Sequence, residues 1–134
     1  MGTIKKMAVI DDDEVFTFLT SKAIEKTNLV EVIKVFVNGL DALNFLKENV
    51  GNPEELPEII FLDLSMPIMD GWQFLEEYIK LNPKIGKKIV IYICSSSISP
   101  DDINKAKEIS AVTDYIIKPV SKDMLAEILT KLIV

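Results

Sequence analysis

Short apolar segments alternate with longer amphipathic segments along the whole chain. The apolar segments are rich in β-branched residues, which favour strands. Between them, hydrophobic residues recur every three or four positions, which is typical of a helix with one buried face. Strands that alternate with helices predict a parallel sheet covered on both faces. The predicted strands are Met7–Ile10, Val32–Val37, Ile59–Leu64, Lys88–Cys94 and Asp114–Ile117.

Each amphipathic segment predicts one helix with an apolar face. Asn38-Gly39 and Asp70-Gly71 are predicted to begin the second and third helices, and Asn82-Pro83 to end the third. The last helix is predicted to run to the end of the chain. The apolar faces consist of Val15, Leu19 and Ala23, then Leu40, Leu43, Leu46 and Val50, then Leu75, Tyr78 and Ile79, then Ile103, Ala106 and Ile109, and finally Leu125, Ile128, Leu129 and Leu132.

The predicted fold is α/β, a three-layer, doubly wound, flavodoxin-like fold with a five-stranded parallel sheet in the order 2-1-3-4-5. A single domain spanning residues 1–134 is expected, because 49% of the residues are hydrophobic and no linker interrupts the pattern. The apolar segments are much shorter than the ~20 residues of a membrane-spanning helix, so no membrane insertion is expected. The lone Cys94, interpreted as a buried strand residue, and the missing signal peptide favour a cytoplasmic location.

Histidine and arginine are absent, and their absence excludes several kinds of site. The chain has no histidine, and all 15 basic residues are lysines. Histidine-based acid–base catalysis and histidine-ligated zinc are therefore excluded within the chain. With a net charge of −6 and no arginine to contact guanine, direct nucleic-acid binding is not expected. The remaining carboxylates, hydroxyls and lysines suit Mg²⁺ and phosphoryl groups.

Polar residues follow the predicted strands at the ends where doubly wound sheets bind ligands. Asp11 and Asp12 follow the first strand, and Asp63 lies near the end of the third. A serine cluster, residues 95–97, follows the fourth strand, and Lys118 follows the fifth. Taken singly, each of these could be a helix cap, a loop residue or an exposed lysine. Their arrival at one edge of the sheet favours a site.

The charge at this edge predicts a metal. Adjacent carboxylates repel one another unless a cation lies between them, and Mg²⁺ is the usual cation where phosphate also takes part. Such a cation, together with Lys118, would let an anionic phosphoryl group approach Asp63.

The stretch Asp63–Gly71, with its proline, methionine and Asp-Gly, resembles the phosphoacceptor loop of the receiver domains of two-component response regulators. Ile117–Pro119 is similar to the lysine and proline of that family, whose connecting peptide bond is usually cis. The resemblance covers essentially the whole chain and is to the stand-alone type. It implies a signalling phosphoprotein, not an enzyme, that catalyses only its own phosphorylation and slow dephosphorylation.

The resemblance also implies roles for single residues. Asp63 would be the phosphoacceptor, and Lys118 would contact the phosphoryl group. Mg²⁺ would be held directly by Asp12, with Asp11 nearby or acting through water, and also by Asp63. The backbone carbonyl of Ser65 would complete the protein's ligands. The donor would be a phosphohistidine on a histidine kinase or a histidine phosphotransfer protein.

The switch hydroxyl of the family falls within the serine cluster. Counting back from Lys118 on the commonest spacing selects Ser96. Alignment through Ser97-Ile98 selects Ser95 instead, and we favour Ser95 with Ser96 as the alternative. Tyr115 falls at the aromatic switch position, whose ring turns inward when the hydroxyl moves. Trp72 is expected to pack at the start of the third helix.

Phosphorylation would then change the face formed by helix 4, strand 5 and helix 5. No output domain is expected after the last helix, so the downstream effector would be a separate protein. Whether the same face forms a homodimer stays open.

Three alternatives fit parts of the pattern. A haloacid-dehalogenase-type phosphatase also uses a strand-end aspartate with Mg²⁺, but it needs a second aspartate where this chain has Ser65. A flavodoxin-like FMN carrier needs a neutral phosphate loop after the first strand, where this chain has residues Asp11–Asp13. A receiver that serves only as a constitutive docking module, without phosphorylation, is the third.

Overall fold

Strands and helices alternate strictly in the computed structural model, which describes residues 2–133. All strand pairs are parallel, and the sheet order is β2-β1-β3-β4-β5, so the predicted fold class and order are confirmed. The strands are β1 (Ile4–Ile10), β2 (Val30–Phe36), β3 (Ile59–Leu62), β4 (Val90–Ser95) and β5 (Val112–Ile117). The helices are α1 (Glu14–Thr27), α2 (Gly39–Glu48), α3 (Gly71–Ile85), α4 (Pro100–Lys107) and α5 (Lys122–Ile133).

The central strands feed two separate hydrophobic cores because successive side chains of a strand point to opposite faces. In β1, Ala8 and Ile10 pack on the side of α2 and α3, whereas Met7 and Val9 pack on the side of α1 and α5. All four residues of β3 are buried. This arrangement gives three layers, with the carboxyl ends of the strands meeting at one edge.

The predicted apolar face of α1 is wrong for Val15 and Leu19, whereas Ala23 packs half-buried against the core, as predicted. Val15 and Leu19 are 69% and 60% exposed, and the helix buries Thr17, Thr20 and Ile24 instead. The hydroxyl of Thr17 donates to the carbonyl of Glu14 at 3.1 Å, so its burial does not leave a donor unpaired. A face that contains such threonines looks polar in sequence although it packs on the sheet.

Several predicted boundaries also differ from the structure. The third helix does not end at Asn82-Pro83 but continues to Ile85, with Pro83 in its last turn and Gly86 as a left-handed cap at φ 68°. β1 begins at Ile4, three residues earlier than predicted, because it pairs with β2 from that residue onward. β3 ends at Leu62, and Asp63 therefore lies just beyond it.

The final helix can be compared with its prediction only as far as Ile133, because Val134 lies outside the described residues. Among the described residues, no helix is both long enough and apolar enough to span a membrane.

Candidate functional site

Hydrogen bonds that continue the sheet beyond its strands hold three charged residues at the carboxyl edge, which we call the site edge. Asp11 follows β1 and donates its backbone N–H to Phe36 at 2.9 Å. Asp63 follows β3 and donates to the carbonyl of Ile10 at 2.9 Å. Lys118 follows β5 and donates to the carbonyl of Ser95 at 2.9 Å. The register of the parallel strands thus fixes the backbone positions of all three residues.

The three side chains converge. Lys118 Nζ lies 2.7 Å from Oδ2 of Asp11 and 3.5 Å from Oδ1 of Asp63. The Asp11 contact is a close ion pair. The side chains of Asp11 and Asp63 are 1% and 8% exposed, and that of Lys118 is 14% exposed. These charges therefore interact with little screening by water.

Asp12 and Asp13 play different structural parts although they are neighbours. Asp12 is exposed, and one of its carboxylate oxygens lies within 4.8 Å of oxygens from Asp11 and Asp63. Asp13 caps α1, accepting from the backbone N–H groups of Val15 and Phe16 at 3.0 and 3.1 Å. The structure therefore brings Asp11, Asp12 and Asp63 together and assigns Asp13 to the helix.

The pKa values reflect an excess of negative charge. Burial and the neighbouring Asp11 raise the pKa of Asp63 to about 6, although Lys118 and the backbone N–H of Leu64 oppose the shift. Burial acts to lower the pKa of Lys118, but its contacts with Asp11 and Asp63 outweigh burial and raise it.

Cys94 is buried beneath these groups, and burial raises the pKa of its thiol. Such a thiol is poorly reactive.

The donor set fits a hard divalent cation. Three carboxylates face one ammonium group, so two negative charges remain without a partner in this cluster. Oxygen ligands from carboxylates are those that Mg²⁺ prefers. Ser65, whose carbonyl is predicted to join them, is an exposed residue of the loop that follows Asp63.

Two glycines hold that loop close to the site, and sequence reasoning gave them only the role of helix starts. Gly71 donates its N–H to Leu64 at 3.0 Å, and a Cβ at position 71 would lie 2.9 Å from the Cα of Leu64. Gly39 donates to Met69 at 2.9 Å, and a Cβ there would lie 2.7 Å from the same carbonyl. Any larger residue would push the loop away.

The serine cluster separates into different environments. Ser95 is buried at the end of β4, and its Oγ accepts from the N–H of Ser97 at 3.1 Å. Ser96 is exposed. The hydroxyl of Tyr115 donates to the carbonyl of Ser97 at 2.9 Å, so the structure links Tyr115 to this loop rather than to the carboxylates. Trp72 packs half-buried at the start of α3, as expected, with Lys105 Nζ 4.4 Å from its ring centre.

Two further features bear on Lys118. The peptide bond between Lys118 and Pro119 is cis, as the resemblance implied. Lys118 Nζ also lies 4.3 Å from the ring centre of Phe16, a residue that sequence reasoning did not single out. Its position three residues after the capping aspartate offers no signal of this contact.

Comparison with known proteins agrees with this geometry. The family model of the response regulator receiver domain matches residues 7–130. A two-component response regulator from Cytophaga hutchinsonii is 30% identical, with a TM-score of 0.87 over 98% of each chain. The phosphorylated cyanobacterial phytochrome response regulator RcpA is 26% identical, with a TM-score of 0.77 over 97% of this chain and 91% of that one. The probable methanogenesis regulatory protein FilR2 of Methanothrix harundinacea is 29% identical over 84% of this chain and 71% of that protein.

Other curated relatives are longer proteins. They include a sensor histidine kinase, CheAY, and several protein-glutamate methylesterases. The chain spans only 11% of CheAY and 30% of the methylesterase of Burkholderia thailandensis. The likeness to these proteins is therefore limited to a small part of each.

Proposed function

The chain belongs to the response regulator receiver domain family, and on that premise we propose that it accepts a phosphoryl group on Asp63 and acts as a phosphorylation-dependent switch. One observation carries the proposal. A buried carboxylate, Asp63, lies beside a second carboxylate and a lysine at the edge of the sheet where such folds bind ligands. The phosphorylated state of the similar protein RcpA supports it.

Mg²⁺ is the cofactor that this site would hold. Asp11, Asp12 and Asp63 would supply carboxylate oxygens, and Ser65 would supply its backbone carbonyl. When bound, the cation supplies positive charge to the phosphoryl oxygens and aligns them with the acceptor. Asp12 is the exposed member of the set and Asp11 the one already paired with Lys118, which favours Asp12 as the more direct ligand.

The chain's own residues then account for the transfer. An oxygen of Asp63 attacks the phosphorus of a phosphohistidine donor, the new P–O bond forms, and the P–N bond breaks with its electron pair leaving on the imidazole. Lys118, already 3.5 Å from Asp63, holds a fixed positive charge beside the incoming phosphoryl oxygens. Burial of Asp63 excludes bulk water from the acceptor.

Phosphorylation would be read out through the loop after β4. Ser95 is the hydroxyl we favour to contact the phosphoryl group, with Ser96 as the alternative. Movement of this loop would alter the bond between Tyr115 and the carbonyl of Ser97. The face formed by α4, β5 and α5 would then change its affinity for a partner.

The proposed partners follow from this chemistry. A histidine kinase or histidine phosphotransfer protein would deliver the phosphoryl group, and a separate effector protein would bind the switched face. The protein itself would catalyse only its own phosphorylation and slow dephosphorylation. It would act in the cytoplasm through its receiver domain.

The test is direct. The protein is incubated with acetyl phosphate and Mg²⁺, and intact mass spectrometry should show the addition of one phosphoryl group. Asp63→Asn should show none, while Asp123→Asn, an exposed aspartate in the first turn of α5, should react like the wild type.

Two results would count against the proposal. An adduct that persists in Asp63→Asn would place the acceptor elsewhere. A wild-type protein that forms no adduct with acetyl phosphate or with a phosphohistidine donor would favour a constitutive docking module.

A further inference from the structure

We propose that Phe16 is a positioning residue for phosphoryl transfer: its ring holds the ammonium group of Lys118 against the two buried carboxylates. The inference rests on the proposed function of Asp63. Lys118 Nζ lies 4.3 Å from the centre of the Phe16 ring, well within the ~6 Å over which a cation is attracted to an aromatic face.

The ring completes the surroundings of the ammonium group. Asp11 lies 2.7 Å and Asp63 3.5 Å from Lys118 Nζ, and the Phe16 ring is its third close neighbour. A lysine side chain has four rotatable bonds and loses considerable rotamer entropy when it is fixed. A neighbouring aromatic face reduces the number of rotamers available to the Lys118 side chain. It does not compete with the two carboxylates for the positive charge, as a further carboxylate would.

Phe16 packs only partly against the core on the side of α1 and α5. The buried residues of α1 are Thr17, Thr20 and Ile24, and Phe16 is only half-buried at the margin of that face. Phe16 also lines a groove between α1 and the segment Pro119–Lys122, so part of the ring faces solvent. A residue needed only for the core would be expected to bury its whole ring.

The local structure fixes where the ring lies. Asp13 accepts from the N–H of Phe16 at 3.1 Å, which sets the first turn of α1 directly beside the acidic cluster. Lys118 is fixed from the other side by its backbone bond to Ser95. The two residues are 102 positions apart in sequence (118 − 16) and meet only because α1 and β5 border the same edge.

The contact should matter most when Asp63 reacts. In the unphosphorylated protein Lys118 is paired more closely with Asp11 than with Asp63. To contact a phosphoryl group on Asp63, the ammonium group must stay close to Asp63 as well as to Asp11. We expect the Phe16 ring to keep it between them, so that loss of the aromatic face slows phosphorylation by about threefold to tenfold.

The experiment compares phosphorylation rates with acetyl phosphate at saturating Mg²⁺, a donor that needs no docking surface. Phe16→Leu removes the aromatic face while keeping an apolar side chain, and Phe16→Tyr restores the face. Phe18→Leu is the matched control, because Phe18 lies on the same helix, is 60% exposed, and has its ring near Lys22 instead. We expect only Phe16→Leu to be slow.

A second series separates electrostatics from shape. Increasingly fluorinated phenylalanines at position 16 keep the ring but weaken its attraction for a cation. The rate should fall steadily along the series. Equal rates for all fluorinated rings, or a slow Phe16→Tyr, would mean that Phe16 acts through packing alone and would overturn the inference.

A third measurement does not require phosphorylation. In nuclear magnetic resonance spectra, the side-chain protons of Lys118 next to the ring should be shifted upfield in the wild type and in Phe16→Tyr. The shift should vanish in Phe16→Leu and persist in Phe18→Leu. An unshifted Lys118 in the wild type would refute the contact itself. A shifted Lys118 in a protein that forms no adduct would refute the proposed function and leave the contact as structural.

Discussion

The two edges of the sheet use the same residue types in opposite ways. At the site edge, Asp11 and Asp63 share a single lysine, Lys118, and all three side chains are largely buried. At the opposite edge, where the strands begin, Lys6 pairs with Glu55 at 2.9 Å, and the side chains are 21% and 48% exposed. One edge holds an excess of buried negative charge, whereas the other holds a balanced pair near water.

The pKa shifts follow this difference. The hydrogen bond from Lys6 lowers the pKa of Glu55, as in an ordinary ion pair. Burial and the charge of Asp11 instead raise the pKa of Asp63 to about 6. A carboxylate whose charge is disfavoured in the folded state is typical of a site that awaits a cation rather than of a stabilising contact.

The backbone conformations of the two edges also differ. At the opposite edge, left-handed conformations fall on Asn28 and Gly86, residue types that adopt them readily. At the site edge the left-handed position falls on Ile68, a β-branched residue with φ 70° and 73% exposure. The N–H of Met69 closes this tight turn onto the carbonyl of Pro67 at 2.7 Å. Both the charge and the backbone at the site edge are arranged at the expense of stability.

The largest expected effect comes from replacing one lysine at each edge, in two separate variants, with methionine. Lys118→Met should slow phosphorylation by acetyl phosphate by about 10²-fold, because it removes the fixed cation that lies 3.5 Å from the acceptor. Lys6→Met, at the opposite edge, should react at the wild-type rate. Rates from intact mass spectrometry and circular dichroism of the folded state measure both. Equal slowing by the two variants would abolish the distinction between the edges.

The pH dependence of stability is the next largest effect. Asp63 has a folded pKa of about 6, above the ordinary value of 3.8, so the folded state binds its proton more tightly than the unfolded state. Stability without metal should therefore fall as the pH rises from about 4 to about 6, by on the order of 3 kcal/mol. Denaturant unfolding in EDTA across this range measures the slope.

Asp63→Asn is the control for that measurement, because it lacks the titrating group and should lose this part of the slope. An identical slope in the variant would show that other groups cause it. Added Mg²⁺ should flatten the slope in the wild type by compensating the charge.

Asp12→Asn addresses the metal separately. We expect Mg²⁺ binding to weaken by more than about tenfold, since a carboxylate ligand becomes neutral, while the fold is retained because Asp12 is exposed. Isothermal titration calorimetry measures the dissociation constant, with Asp123→Asn as the matched control. Unchanged affinity in Asp12→Asn would transfer the role of main ligand to Asp11.

Ile68→Asn addresses the backbone. Asparagine tolerates a positive φ, so the variant should be about 1 kcal/mol more stable than the wild type. Denaturant unfolding measures the change, and Ile98→Asn provides a control that is equally exposed at 73% but is not at a positive φ. A gain of the same size in both variants would point to lost apolar exposure rather than to relieved strain.

The smallest expected effect is at the opposite edge. Glu55→Gln should leave the melting temperature nearly unchanged, because exposed ion pairs contribute little to stability. Thermal unfolding followed by circular dichroism tests this. A large loss of stability would show that the opposite edge, too, depends on its charges.

The sequence by itself determined the fold and the residue types that meet at the site edge. Periods of two and of three to four residues are local signals, and they gave the element order and hence the sheet. The ends of the strands then placed Asp11, Asp63 and Lys118 at one edge, and the sheet confirms that placement. The metal ligands and the choice between Ser95 and Ser96 stay predictions.

Only the tertiary structure decided how each element is turned and what each charge touches. Hydropathy placed Val15 and Leu19 on the buried face of α1, but the cap at Asp13 and packing on the sheet leave both exposed. The raised pKa of Asp63 and the contact between Phe16 and Lys118 likewise depend on neighbours far away in sequence. The rotation of a helix about its axis, the burial of a side chain and the electrostatic potential at a charge each depend on many residues that are distant in sequence. A local sequence pattern therefore cannot predict them.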